Sequence, residues 1–169
     1  MCNVADMKQT FPRGRRLHLV DVENLVGTPR PTAIEVLACR QHYAELVKPA
    51  CGDLCVVACN HGAGAEVGFS WPGVRRLWRS GPDGADLALL EVLTGESVSD
   101  RFEDVVVASG DGRFAEAVAW LAGCGVRATV VANRRSLSRR LELAATAVVL
   151  FDAEFPPAVS AAVGLRGAA

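Results

Sequence analysis

The chain has 169 residues, half of them hydrophobic and 22% charged, with 18 Lys and Arg against 19 Asp and Glu. That length favours one domain, and that much apolar material can build a buried core. No apolar run approaches the ~20 residues a membrane span needs, and a formal net charge of −1 excludes a uniformly basic binder.

The N-terminal stretch is polar and lacks the apolar core of a signal peptide, so a cytoplasmic protein is expected. Residues 1–15 read as a flexible leader and 16–153 as the folded domain. Residues 154–169, with Pro156-Pro157 and many small residues, read as a loosely ordered tail. Leu17 to Asp21 is a short strand that ends in an acid. Alternation puts Leu17, Leu19 and Asp21 on one face, His18 and Val20 on the other. His18 reads as a packed histidine, because it precedes the strand end where α/β sites form. Asp21, Glu23 and Asn24 crowd that strand end. Thr32-Ala33-Ile34-Glu35 is a capping box that opens a helix to about Val47. Ile34, Leu37, Ala38 and Tyr43 supply its apolar spacing, and Pro49 and Gly52 end it.

Leu54 to Ala58 is the second strand. Cys51, Cys55 and Cys59 recur every four residues ahead of His61, but an extended strand separates Cys55 from Cys59 by ~13 Å, too far for one zinc ion. Residues 60–72 are rich in Gly and small side chains and read as a loop. Val74 to Trp78 is a short third strand. For Trp71 and Trp78 burial in the core is expected, with base stacking as the alternative. Gly81-Pro82-Asp83-Gly84 is turn chemistry ahead of a helix from Ala85 to Leu93. That helix carries Asp86 in its first turn and Leu89, Leu90 and Leu93 inward. Residues 95–100 read as a loop.

The central strand, Val105 to Ala108, stops abruptly at Ser109-Gly110-Asp111-Gly112 and gives way to a helix to Ala122. Asp111 stands where open α/β sheets bind ligands, and also where a helix takes its N-cap. Gly123-Cys124-Gly125 stops the helix. Val126 to Ala132 is a strand, Ser136 or Ser138 caps a short helix to about Ala145, and Ala147 to Phe151 is the last strand. Strands alternating with helices imply a three-layer α/β/α fold with a mainly parallel central sheet.

Three acids occupy corresponding places: Asp21 after the first strand, Asp86 at a helix start, and Asp111 after the central strand. In a doubly wound sheet the first and fourth strands are neighbours, and their carboxyl ends meet at the switch point. Clustered carboxylates repel unless a cation holds them, and hard oxygen donors suit Mg²⁺ or Mn²⁺. Such an ion can activate water and stabilise charge on a phosphodiester oxygen. The basic residues are nearly all arginine and lie in clusters: Arg13, Arg15 and Arg16; Arg75, Arg76 and Arg79; Arg134, Arg135, Arg139 and Arg140. Arginine suits bidentate phosphate contact, so these clusters could hold a nucleic-acid backbone.

These pieces resemble the NYN domains, the PIN-like ribonuclease domains. Leu19-Val20-Asp21-Val22-Glu23-Asn24-Leu25 resembles their opening motif, and Gly84-Ala85-Asp86-Leu87-Ala88-Leu89 is similar to their second. Val107-Ala108-Ser109-Gly110-Asp111-Gly112-Arg113-Phe114 resembles their third. Gly125 to Val131, Ser136 to Leu141 and Val148 to Phe151 resemble their closing strand-helix-strand. The resemblance spans roughly residues 17–152 in consistent order. It implies a PIN-like sheet, a divalent metal (Mg²⁺ or Mn²⁺), and RNA as substrate. It implies Asp21, Asp86 and Asp111 around the metal, with Asn24 positioning an acid or the phosphate and Glu23 and Ser109 in support. Arg113, Arg134, Arg135 and Arg139 are the candidate nucleic-acid contacts. Three positions depart from the family pattern. Arg113 stands where a second acid is usual, Asp83 where a lysine is frequent, and Val92 where another aspartate is frequent, with Glu91 one place off.

Two other readings compete with a metal-dependent ribonuclease. The same fold could serve as an RNA-binding or scaffold domain without cleavage, which Arg113 and the missing acids favour. Alternatively, Gly110-Asp111-Gly112-Arg113-Phe114-Ala115 fits a dinucleotide-binding glycine pattern, with Asn133-Arg134-Arg135 about 20 residues on, as in an NADP-binding reductase. Asp111 between the glycines would then face a pyrophosphate of like charge. A homodimer or a protein partner stays open at this point.

Overall fold

The structure, a computed structural model, describes residues 14–155. Almost all of the expected leader and tail lie outside the described residues. The elements run β1 (Arg16–Asp21), α1 (Val22–Val26), α2 (Ala33–Val47), β2 (Leu54–Cys59), α3 (Gly64–Ser70) and β3 (Arg75–Trp78). They continue with α4 (Gly84–Gly95), α5 (Val98–Arg101), β4 (Asp104–Ala108), α6 (Ala115–Gly123), β5 (Arg127–Ala132), α7 (Arg139–Ala144) and β6 (Ala147–Leu150).

All six strands are parallel, in the order β3-β2-β1-β4-β5-β6. The chain begins in the middle, winds out to β3, returns to the far side of β1 and winds out again to β6. The direction of winding therefore switches between β1 and β4, where Val20 pairs with Ala108. That switch opens a crevice at the carboxyl edge of the sheet.

Strand alternation builds the two cores. Leu17, Leu19, Val105 and Val107 face α4 to α7, with Leu89, Val118 and Leu141. Val20, Val106 and Ala108 face α1 to α3, with Leu25, Val36, Tyr43 and Val67. Each fully buried Leu or Val contributes about 1.5–3 kcal/mol, so a one-residue slip of either central strand would exchange both cores. His18 shares the second face. Its Nδ1 lies 2.8 Å from the Tyr43 hydroxyl and its Nε2 3.1 Å from Asp53 Oδ2, and burial lowers its pKa. This packed position is far from the carboxyl edge, toward the amino ends of the strands.

The Thr32–Glu35 capping box forms as expected, with Thr32 N–H donating to Glu35 Oε2 at 2.7 Å. The inward stripe of α2 is Val36, Cys39 and Tyr43; Ile34 and Leu37 lie exposed. That phase follows from Tyr43 having to reach His18. Three short helices were not expected. The five residues of α1 and the four of α5 are too few to show a period. Residues 60–72, read as a loop, contain α3, whose Gly64 and Gly68 disguise it as turn composition.

Candidate active site at the switch point

Asp21 is the last residue of β1 and the N-cap of α1, its Oδ1 accepting from the Asn24 N–H at 3.1 Å. Strand parity turns its side chain toward α4. That helix begins at Gly84, where a Cβ would collide with the Arg79 carbonyl oxygen. The close approach brings Asp86, in the first turn of α4 and 8% exposed, to face Asp21. The two carboxyl groups are close enough to shift each other's proton affinity. Burial, followed by the Asp86 carboxyl, pushes Asp21 well above the usual carboxylate range. Burial also raises Asp86; the Asp21 carboxyl opposes this, and the charge of Asp111 adds to it. Asp86 Oδ1 is buried and has no hydrogen-bond partner.

Asp111 sits on the opposite wall. Its Oδ1 accepts from the Arg113 N–H at 2.9 Å and caps the turn at Gly112–Phe114. The structure thus brings Asp21 and Asp86 together, while Asp111 contributes charge without direct contact. Among the described residues no three His, Cys, Asp or Glu side chains converge closely enough to hold a metal ion.

Arg113 reaches across the crevice. Its Nη1 lies 2.6 Å from Asp83 Oδ2 and 3.9 Å from Asp86 Oδ2. Asp83 holds a left-handed backbone conformation, φ 60°, just ahead of α4. The hydrogen bond from Arg113 lowers its pKa, and the same bond raises that of Arg113. The sequence shows Asp83 only as turn chemistry ahead of α4. The other departures do not restore an acid here: Val92 is core, and Glu91 is exposed and paired with Arg79.

Asn24 stitches the crevice walls together. Its Oδ1 accepts from the Gly110 N–H at 2.9 Å and from Ser136 Oγ at 3.4 Å. Ser138 N–H donates to the Gly110 carbonyl at 2.8 Å. Ser109 is fully buried, and its Oγ accepts from the Asp111 N–H at 3.3 Å. A Cβ on Gly110 would lie 2.5 Å from the Ser136 carbonyl oxygen, and one on Gly112 2.7 Å from Ser138 Oγ. Both glycines serve close approach of the chain to itself. The first βα turn, where a dinucleotide fold carries its glycines, has Asp21-Val22-Glu23-Asn24 instead.

Glu23 Oε1 accepts from the Asn60 N–H at 2.5 Å, and the Asn60 amide donates to the Pro29 carbonyl at 2.6 Å. Asn60 was not foreseen; the only signal was its place just past the end of a parallel strand. The resulting cleft, about 320 Å³, is lined by Asp21, Glu23, Asn24, Asn60, Asp83 and Asp86 among others. Arg134 and Arg135 lie exposed on the turn after β5, and that turn is tied to α1 by Asn133 donating to the Leu25 carbonyl. Arg139, grouped with them in sequence, pairs instead with Glu142 at 2.6 Å.

No family model matches the chain, and no curated protein matches it either. A solved structure of a protein of unknown function from Vibrio parahaemolyticus is similar over 83% of this chain and 95% of its own, with a TM-score of 0.59 and 15% identity. At that identity the likeness concerns the fold alone. Among the described residues no helix is long and apolar enough to cross a membrane.

Proposed function

We propose that the domain is a divalent-metal-dependent ribonuclease of NYN type, hydrolysing RNA phosphodiester bonds at the β1–β4 switch. The observation that carries this reading is the Asp21–Asp86 pair. Two buried carboxyl groups face each other, and one buried oxygen has no partner. Such an arrangement is costly unless a proton or a cation is shared. The donor set offers oxygen and neither sulfur nor imidazole, which suits Mg²⁺ or Mn²⁺. Asp21 and Asp86 would hold the ion, with Asp111 adding negative charge from the opposite wall. When bound, a divalent ion acidifies water and stabilises charge on a phosphoryl oxygen.

The chain's own residues supply the positioning. Asn24, with its carbonyl oxygen fixed by Gly110, keeps its amide N–H groups for a phosphate oxygen. Arg134 and Arg135 stand ready for backbone phosphates on the neighbouring turn. Glu23 holds the Asn60 loop in place as the cleft's far side.

A second reading, an RNA-binding domain without cleavage, is favoured by Arg113. Its guanidinium, 3.9 Å from Asp86, supplies positive charge at the carboxyl pair without any ion. Calorimetric titration with Mn²⁺ separates the two. The ribonuclease reading expects binding by the wild type, a loss of at least about tenfold in Asp86→Asn, and tighter binding in Arg113→Asp, since a nearby guanidinium opposes a cation. Wild type that binds no Mn²⁺, with binding created by Arg113→Asp, would favour the second reading. Binding unchanged in Asp86→Asn would remove the site altogether.

A further inference from the structure

Trp78 ends β3, the edge strand, and pairs in register with Cys59, so it lies at the same carboxyl edge as Asp21. Residues 76 and 78 share one face of the strand, the α3 side. There the Trp78 ring is backed by Gly64, where a Cβ would lie 3.4 Å from the ring carbons. Gly64 thus backs the indole without a side chain, and half of Trp78 remains exposed. Trp71 behaves oppositely: it is 5% exposed and packs in the core beside Tyr43.

Trp78, Arg76, Val74 and His61 line a concavity of about 330 Å³. His61 Nδ1 lies 2.8 Å from Ser80 Oγ, which ties the segment after β2 to the segment after β3 and steadies the wall. A neighbouring hollow of about 590 Å³ is lined by Arg30, Asn60, Gly62, Ser80 and Gly81. Asn60 and Gly81 also line the acidic cleft. The hollow thus opens on the acidic cleft, and its Asn60 and Gly62 flank His61 of the Trp78 concavity in the chain, so the three hollows follow one another as a groove along this edge.

The charges along β3 are sorted by face. Arg75 pairs with Glu96 and Arg79 with Glu91, on the α4 side. Arg76, on the groove side, and Arg30 are exposed, and no acidic side chain among the described residues pairs with them. Unpaired cations along a groove and an aromatic ring open on one face are what a single-stranded polyanion with unstacked bases requires.

We propose that Trp78 and Arg76 form a subsite for single-stranded RNA, in which an unstacked base lies on the exposed indole face and Arg76 holds an adjoining phosphate. The proposal rests on the reading that the acidic cleft takes RNA. Binding is measured by anisotropy of a fluorescein-labelled oligouridylate in EDTA, so that no cleavage is needed. Trp78→Ala is expected to weaken binding roughly five-fold to a hundred-fold, the range for loss of one stacked base, and Trp78→Phe to retain most of it. Arg76→Ala is expected to flatten the slope of log affinity against log salt by about 0.7. In a Trp120→Phe chain, which leaves Trp78 as the exposed tryptophan, oligouridylate is expected to quench the emission. Wild type that binds no RNA would overturn the cleft reading and this proposal together. Wild type that binds RNA, with a folded Trp78→Ala equal to it or with emission left unquenched, would overturn the subsite and leave the cleft reading standing.

Discussion

Asp21 caps α1 and faces Asp86 at once, and the two roles separate by substitution. Its folded pKa is raised, chiefly by burial and then by Asp86. From the ordinary carboxylate range up to that raised value the folded state holds more protons than the unfolded state, so this contribution to stability fades as pH rises through the folded pKa. Asp21→Asn keeps the cap and removes the acid. Without added divalent ion, its melting temperature is expected to exceed the wild type at neutral and alkaline pH, each unit of raised pKa being worth about 1.4 kcal/mol. The gap should close on acidification; a gap independent of pH would contradict the shared-proton account. The positions of Asp21, Asp86 and Asp111 were legible because each follows a strand end or opens a helix. The Arg113–Asp83 pair was not, since its members are far apart in the chain. Thirty positions apart, Arg113 and Asp83 form one ion pair across the crevice.

The turn after β4 shows how an element positions the site. Gly110 gives its N–H to Asn24 and its carbonyl to Ser138, and its α-carbon lies against the Ser136 carbonyl. Gly110→Ala forces these two turns apart. Overpacking of this kind costs about 1–3 kcal/mol, which urea denaturation of the variant should show; a loss near zero would mean the turns are loosely held. The glycine pattern itself was legible, and its partner was not, because Ser136 and Ser138 meet it only through the fold. The Ser136-or-Ser138 helix start resolves to Ser138, which precedes α7 without a side-chain cap bond. The inward stripe of α2 departs from the sequence spacing for a similar reason: apolar Ile34 and Leu37 offer a plausible face, but the partner that sets the phase, His18, lies on a strand.

At the scale of the molecule, the strand order places every strand's carboxyl end on one edge and opens the crevice between β1 and β4. That much was legible from the alternation of apolar strands with helices. The net charge of −1 conceals a polarity that only the fold shows. Arginines that pair with acids are spread over β1, β3, β5, α5, α7 and the turn after β4, while Arg134 and Arg135 lie exposed on the turn after β5, which is tied to α1. Removing both together, as Arg134→Ala with Arg135→Ala, is expected to weaken RNA binding alike for all sequences and to flatten the salt slope by about 0.7 for each lost contact. An unchanged slope would make them plain surface. The central claim, that the acidic crevice cleaves RNA with a divalent ion, is tested most directly by incubating the purified chain with single-stranded RNA and Mn²⁺ or Mg²⁺. The account predicts cleavage that EDTA abolishes and that Asp86→Asn eliminates while RNA binding persists. RNA left intact by wild type under conditions that saturate its binding, with either ion present, would contradict it.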